Sequence, residues 1–541
     1  MTPKRYLVVS DFHMTSGKNP LTGRWSPTED FFWDEEFRDF LSYYTDSTRT
    51  TLIINGDLFD FIQVLIIPTE AEKKEFRIAD EEVNTTYGLQ CSEGCCEYQV
   101  VQMMNGHPVF FNALAAFLAK GNDIKILKGN HDIQLHWLGV QRQIVEHLAD
   151  LVQRKGTQLN SRQVEFLPWF YYVPDLLYVE HGNQFEATTA FRNFLHPLLP
   201  SSNRKRRNPQ LELDLSSFLV RYLTNRLEPV NQLADNIRPL TKYYGTMWKA
   251  HPYEMIDTLG TAFRFVLKAF RKAREQKRGA KSAEYEQIRD TNSTMIHKQA
   301  GRFSDDDPDV ERWLETHLVR FDERRMDPIL EGGAFKFVWE IIKEASKSLK
   351  ILLPLYVLTF IPDLGNRILG LINGTGITWL IAAAEFLYKF NLLHVLVIVI
   401  VGLALIWLVR KRRRSKSKDK KSTVLPDVSM EMREHAKYIV QSLGVKYVTF
   451  GHTHYVDTCA LHGDARYFNT GTWMGIYEEQ EQLYREAHQF TFLLVENSEP
   501  WLLRWNADGK TPFPVVVVDN APPLSGEEDS IVKLVMKAVK L

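Results

Sequence analysis

Short apolar runs alternate with helical patterns over the first part of the chain. Residues 6–10, 52–55, 124–127 and 176–180 are mostly apolar and are predicted to be buried strands. Residues 31–44 and 100–120 have the apolar spacing of helices. Alternation of this kind is typical of an α/β sheet.

The same alternation of apolar runs and helical patterns returns near the end of the chain. Residues 432–443 are predicted to form a helix, and residues 447–450, 490–495, 501–505 and 515–518 are predicted to be strands. We therefore expect one α/β domain in two parts, residues 1–190 and 431–541.

The middle of the chain has a different pattern. Residues 191–345 read as a helical, charged insertion, and residues 415–430 as a basic linker. Between them, residues 392–409 carry no formal charge and, with their flanks, are long enough to cross a bilayer. Five basic residues, 410–414, follow at once and place that end in the cytoplasm. A buried core helix is the alternative interpretation.

Polar residues follow five of the predicted strands. They are Asp11-Phe-His13, Gly56-Asp57, Gly129-Asn130-His131-Asp132, His181, and Gly451-His452-Thr-His454. Because the carboxyl ends of strands in an open α/β sheet form the ligand crevice, these groups can converge on one place. The candidate ligands among them are two carboxylates, one amide and four imidazoles, which are too many for one ion: Asp11, His13, Asp57, Asn130, His181, His452 and His454. We therefore expect two ions bridged by one carboxylate, for which Asp57 is our choice.

Such a ligand set suits manganese and iron, and zinc is not excluded by it. Two divalent ions held about 3.5–4 Å apart can clamp both oxygens of an in-line displacement and activate a bridging hydroxide. The expected reaction is hydrolysis of a phosphate ester or pyrophosphate bond.

The five blocks, in this order, resemble the signature of the calcineurin-like metallophosphoesterases. The resemblance covers residues 1–190 and 431–541 and implies a sandwich of two mixed sheets flanked by helices. It implies that Asp11, His13, Asp57 and His454 hold one metal. By the same resemblance, Asp57, Asn130, His181 and His452 hold the other.

The resemblance also implies a role for His131 as the catalytic general acid, or as a group that stabilises phosphoryl charge. An acidic neighbour is expected to orient this imidazole. Asp60 is interpreted either as a residue that hydrogen-bonds to the metal ligands without binding metal, or as the residue that starts a helix.

Gly56-Asp-Leu-Phe-Asp60 is also similar to bacterial UDP-2,3-diacylglucosamine pyrophosphatases, which act on a lipid-linked nucleotide. That subfamily often has arginine at the position of His131, and His-Gly-Asp where this chain has His181-Gly-Asn183. It also lacks so long an insertion.

Both halves of the metal site must lie on one side of a membrane. An even number of crossings is therefore needed, and part of residues 349–384 is predicted to complete a hairpin. A re-entrant or monotopic arrangement of residues 346–414 would satisfy the same condition. The expected location is a membrane, with the catalytic domain facing the cytoplasm.

Composition narrows the classes of partner. The 541 residues are 44% hydrophobic and carry a net charge of −1, so no global field attracts nucleic acid. Basic residues 204–207 and 410–414 suit anionic lipid headgroups, and a solvated charged face is the alternative for residues 204–207. The expected substrate is a phosphorylated small molecule or a lipid-linked one. A silent membrane scaffold and a nuclease of the same fold are the rival hypotheses.

Cysteine usage favours a reducing compartment. Cys91, Cys95 and Cys96 cluster and Cys459 lies far away, which is no disulfide framework. We expect thiols in a surface insertion, with a zinc site as the alternative. The N-terminus runs directly into the first strand and has no signal-peptide pattern.

Overall fold

The computed structural model describes residues from both ends of the chain, and these residues together form mixed sheets and helices. It describes residues 5–85, 87–186, 189–191, 194–199, 208–225, 237–238, 428–475, 477–478, 483–484 and 489–515. All of these residues belong to one compact unit.

Seventeen strands and seven α-helices lie within these residues. The strands are β1 Arg5–Val9, β2 Thr50–Asn55, β3 Val83–Asn84, β4 Gly88–Leu89, β5 Asp123–Leu127, β6 Val164–Leu167, β7 Phe170–Val173, β8 Leu177–Glu180, β9 Ile237–Arg238, β10 Tyr447–Phe450, β11 Val456–Ala460, β12 Arg466–Thr470, β13 Tyr477–Glu478, β14 Leu483–Tyr484, β15 Thr491–Glu496, β16 Glu499–Asn506 and β17 Thr511–Pro514. The helices are α1 Asp34–Tyr43, α2 Glu70–Glu75, α3 Glu93–Gly106, α4 Pro108–Ala119, α5 Leu138–Gln153, α6 Leu215–Leu219 and α7 Val428–Leu443. Short helical turns occupy Phe61–Gln63, Asp80–Glu82, Ile133–His136, Asn183–Phe185 and Val220–Thr224.

The larger sheet has seven strands in the order β17-β16-β15-β1-β2-β5-β6. The strands β1, β2, β5 and β6 are parallel, whereas β15, β16 and β17 add an antiparallel edge. The central strand β1 therefore pairs with one strand from each part of the chain.

The second sheet has five strands in the order β11-β12-β10-β8-β7. Here β10 lies parallel to both β8 and β12, while β7 and β11 form antiparallel edges. Two smaller sheets consist of β14-β13-β9 and β3-β4.

Alternation along the strands gives each large sheet two apolar faces. Tyr6, Val8 and Ile53 form one apolar cluster with Val179 and Tyr447 of the second sheet. The opposite face of the larger sheet packs against α1, α4 and α5, and the outer face of the second sheet packs against α7. The predicted α/β class is confirmed, with parallel and antiparallel strands in both large sheets.

Several element boundaries differ from the sequence prediction. The single helix predicted over residues 100–120 is wrong, because the chain ends α3 at Gly106 and starts α4 at Pro108. Proline lacks a peptide N–H and fits the first turn of a new helix. The helix predicted from residue 31 begins at Asp34. The strand β17 ends at Pro514, just before the strand predicted over residues 515–518, of which residues 516–518 lie outside the described part.

The cysteine cluster is not on the surface. Cys91, Cys95 and Cys96 are buried, and burial raises the pKa of the Cys95 thiol to about 12. Within the described ranges, no group of residues that could hold a metal includes a cysteine.

The predicted membrane segments, residues 349–384 and 392–409, lie outside the described residues, as do the basic runs 204–207 and 410–414. Among the helices that the structure does describe, none combines the length and the apolar character needed to cross a bilayer.

Candidate metal centre

The loops after five strands meet at one place in the structure. The residues that these loops contribute are Asp11 and His13 after β1, Asp57 after β2, Asn130 and His131 after β5, His181 after β8, and His452 and His454 after β10. The strands β1, β2 and β5 belong to one large sheet, and β8 and β10 to the other. The site therefore spans the carboxyl edges of both sheets, where α/β proteins bind ligands.

The backbone of these loops adopts an unusual conformation. Asp11, His13, Asp57, His452 and His454 have φ values of 58°, 51°, 50°, 70° and 62°. They make up five of the eleven non-glycine residues with positive φ in the described ranges. A non-glycine residue in this region costs on the order of 1–3 kcal/mol and persists where neighbouring structure holds it.

Backbone hydrogen bonds between the loops hold this conformation. The peptide N–H of Asp11 donates to Gly56 O at 3.2 Å, and those of Phe12 and His13 donate to Asp57 O at 2.9 and 3.0 Å. The carboxylate of Asp132 accepts from the N–H of Gly129 at 2.6 Å. It also accepts from the N–H of Leu58 at 2.9 Å, which ties the β2 loop to the β5 loop.

Asp11, His13 and His454 form a first group of metal-binding type. The Nε2 atoms of the two imidazoles lie 3.1 Å apart, and His454 Nε2 lies 3.4 Å from Asp11 Oδ1. One ligand atom from each of the three residues lies within 4.8 Å of the others.

Asp57 joins this group to a second one. Its Oδ2 atom lies 3.6 Å from His13 Nε2 and 3.1 Å from His181 Nε2. In the second group, one ligand atom each of Asp57, His181 and His452 lies within 4.8 Å of the other two. One carboxylate oxygen therefore faces both groups, which is the position expected of a bridging ligand.

Asn130 is the predicted ligand contributed by the loop after β5. Its Oδ1 atom is buried and has no hydrogen-bond partner among the described residues. The next peptide N–H, that of His131, donates to Asp57 Oδ1 at 2.9 Å, so Asn130 is adjacent to the Asp57 carboxylate.

His131 is oriented by an acidic neighbour, as predicted. Its Nδ1 atom lies 2.6 Å from Asp60 Oδ2. Asp60 is also the N-cap of the turn Phe61–Gln63, where its side chain accepts two backbone N–H groups. His131 also forms a third group with His13 and Asp57, in which the three ligand atoms lie within 4.8 Å of one another.

The charges in this site perturb one another strongly. Burial lowers the pKa of His181, but the Asp57 carboxylate more than compensates and raises it to about 9. Burial also lowers the pKa of His131, but the Asp60 carboxylate outweighs this effect and raises the pKa to about 9. The pKa of Asp57 is held below its usual range despite burial, because His181, His131 and His13 surround it.

The donor set fits divalent metal ions. Imidazole nitrogens and carboxylate oxygens are the ligands that manganese, iron and zinc take in proteins. His181 Nε2 and Asn130 Oδ1 are buried without hydrogen-bond partners in the described ranges, although buried polar atoms normally have one. These two atoms are the ones that metal coordination would satisfy.

Several polar residues beside the site carry no motif that sequence reasoning could use. Glu186 and Thr189 contact the imidazole of His452. Asp214 and Ser217 come from the region predicted as insertion, and the hydroxyl of Ser217 donates to Asn130 O at 3.4 Å. Burial raises the pKa of Asp214 to about 7. Glu186 lies five residues after His181, which was the only available signal.

Compared with protein-family models, with curated proteins and with solved structures, the chain matches none of them.

Proposed function

We propose that this chain is a metallophosphoesterase of the calcineurin-like type that hydrolyses a phosphate ester or pyrophosphate bond with two divalent ions. The observation that carries the proposal is the placement of Asp57 Oδ2 between His13 at 3.6 Å and His181 at 3.1 Å. A carboxylate shared by two groups of ligands is the feature that separates a dinuclear centre from a single metal site.

In this proposal, Asp11, His13, Asp57 and His454 hold one ion, and Asp57, Asn130, His181 and His452 hold the other. Manganese or iron fits the oxygen and nitrogen donors best, and zinc also fits them. When bound, the pair of ions would polarise the phosphoryl oxygens and supply a nucleophile by lowering the pKa of water.

His131 has the properties of a general acid for the leaving oxygen. Its Nδ1–H is held by Asp60, so Nε2 is the nitrogen that can deliver a proton to a substrate. A pKa of about 9 keeps this imidazole protonated at neutral pH. The side chain is 14% exposed, more than that of Asp57 at 1%, which leaves it accessible from solvent.

The first experiment is a metal and activity assay on the full chain. Protein loaded with manganese is expected to hold two ions and to hydrolyse a nitrophenyl phosphate ester. Asp57→Ala is expected to reduce turnover to the background rate. Asp175→Ala is a matched control, since Asp175 is an exposed aspartate with a similar φ of 59°. Unchanged turnover in Asp57→Ala would end the proposal, and absence of turnover in the metal-loaded wild type would favour a silent scaffold.

The proposed substrate is a phosphorylated small molecule or a lipid-linked nucleotide, and a panel of both compared at equal metal loading would distinguish them. Cleavage of DNA with a steep salt dependence would instead favour the nuclease hypothesis.

The proposed location, a membrane with the catalytic domain on the cytoplasmic side, has a separate test. Tags placed before Lys347 and after Lys421 should both be accessible to protease from the cytoplasmic side. One protected tag and one accessible tag would refute a shared face.

A further inference from the structure

The imidazole of His452 is held on one side by two residues outside the ligand motifs. Glu186 Oε2 lies 3.0 Å from His452 Nε2, and Thr189 Oγ1 lies 3.2 Å from the same nitrogen. The side chains of His452 and Glu186 are 7% and 8% exposed, so water competes little for this contact.

The partners of Thr189 decide where the imidazole hydrogen lies. The Thr189 hydroxyl has one hydrogen, which it donates to the carbonyl of Asn183 at 2.9 Å. Its oxygen can therefore only accept from the ring of His452, and an ionised carboxylate can also only accept. His452 Nε2 must consequently carry the hydrogen, and Nδ1 keeps the lone pair.

His181 shows the opposite arrangement in the same group of ligands. Its Nδ1 lies 2.8 Å from the backbone oxygen of Asn55, which places the hydrogen on Nδ1. When the ring is neutral, as a metal-ligating imidazole must be, the lone pair lies on Nε2, on the side where Asp57 Oδ2 lies 3.1 Å away. Each imidazole thus has one nitrogen fixed by a protein acceptor and the other available to an ion.

We propose that Glu186, supported by Thr189, is a positioning residue that holds His452 with its Nδ1 toward the metal shared with Asp57 and His181. This inference rests on the proposed function. Acceptors behind a ligating imidazole fix both its tautomer and its orientation, and their loss typically weakens metal binding about 10- to 100-fold. The same loss is expected here for one ion of the two.

The test is manganese titration of the full chain, followed by calorimetry and by the paramagnetic resonance signal of coupled ions. Glu186→Ala should weaken the affinity for one ion about 10- to 100-fold and leave the other unchanged. Glu186→Gln, whose amide oxygen still accepts a hydrogen bond, should restore most of that affinity. Thr189→Val should cause a smaller loss, because the carboxylate remains.

Glu434→Ala removes the same group from an exposed position on α7 and is expected to change nothing. If Glu186→Gln loses as much affinity as Glu186→Ala, Glu186 is itself a ligand and the positioning role is wrong. Wild-type affinity for both ions in Glu186→Ala would also overturn it. A wild-type chain that binds no pair of ions would instead overturn the proposed function.

Discussion

The contact between His131 and Asp60 joins the proposed proton donor to the carboxylate that raises its pKa. Asp60 Oδ2 lies 2.6 Å from His131 Nδ1 and counteracts the lowering of the imidazole pKa by burial, so that it reaches about 9. An acid raised in this way stays protonated at neutral pH and loses its proton as the pH rises through its folded pKa.

His131→Gln is therefore expected to reduce kcat by about 10²- to 10⁴-fold, the usual contribution of a positioned general acid. Manganese binding should be unchanged if the residue is not a ligand.

Asp60→Asn should shift the alkaline limb of the pH–rate profile to lower pH, because the carboxylate charge that raises the pKa of His131 is gone. An alkaline limb that stays in place would separate Asp60 from the proton transfer.

At the scale of single residues, sequence reasoning located the side chains that follow strands. Asp11, Asp57 and His181 were found because each follows a strand, and the carboxyl ends of strands converge on the ligand crevice. Glu186 and Asp214 were missed because they lie in irregular loops, where spacing says nothing about direction. Only tertiary contacts bring them beside His452 and the loop of Asn130.

Glycines control how closely the loops approach one another. A Cβ on Gly56 would lie 2.5 Å from Cγ and Nδ1 of His181, and the residue has a φ of +78°. Gly121 has a similar φ of +84°, but a Cβ there would meet nothing within 4 Å. A side chain would therefore strain the backbone at both positions, but only at Gly56 would it also collide with His181.

Gly121→Ala is expected to lower the free energy of unfolding by about 1 kcal/mol through its left-handed backbone alone. Gly56→Ala should cost more and also weaken manganese binding, because His181 must move. Chemical denaturation and metal titration of both variants measure this difference. Equal effects on stability and no change in metal binding would show that the close approach is unimportant.

A buried ion cluster connects the start of α1 to the junction of α3 and α4, two helices that the sequence pattern merged into one. His107, between α3 and α4, lies 3.4 Å from Glu29 Oε2 and 3.1 Å from Asp34 Oδ2 of α1. Burial lowers the pKa of His107, but Glu29 and Asp34 together raise it to about 9. The protonated imidazole thus holds the loop before α1 against the start of α4.

Because the folded pKa of His107 lies above its unfolded value, its stabilisation is complete below about pH 6.5 and is lost as the pH rises through about 9. The shift corresponds to about 3 kcal/mol at the acidic end. Urea unfolding should show a large difference between wild type and His107→Gln near pH 6 and a smaller one near pH 10. His462→Gln, at an exposed position, should show no such trend.

Prediction of elements succeeded for most apolar strands, missed the aromatic strand β7, and failed for several mixed strands. Strands β1, β2, β5 and β10 were located to within a residue or two because they are buried and apolar. Strands β6, β11 and β12 escaped because polar residues such as Asp457 and Asn469 interrupt the pattern. The break at Pro108 was hidden by apolar residues on both sides of it.

Strands from both parts of the chain alternate in the large sheets. β1 pairs with β2 on one side and β15 on the other, and β10 inserts between β8 and β12. Each part therefore completes the sheets of the other. From the sequence, motif order indicated this pairing of distant segments, but the identity of neighbouring strands depends on register and could not be read from it.

A protease site introduced between Arg238 and Val428 is expected to leave the two fragments bound to each other after cleavage. Size-exclusion chromatography should show both fragments eluting together, and a denaturant should separate them. Fragments that separate without denaturant would contradict the interleaved pairing.

The position of β10 also sets an order of events during synthesis of the chain. His452 and His454 leave the ribosome more than two hundred residues after His181, which at about 5–20 residues per second is a delay on the order of tens of seconds. Throughout that interval the nascent protein has one incomplete half of each ligand group. Under the proposed function, metal capture and turnover would thereby be postponed until translation has passed the intervening segment.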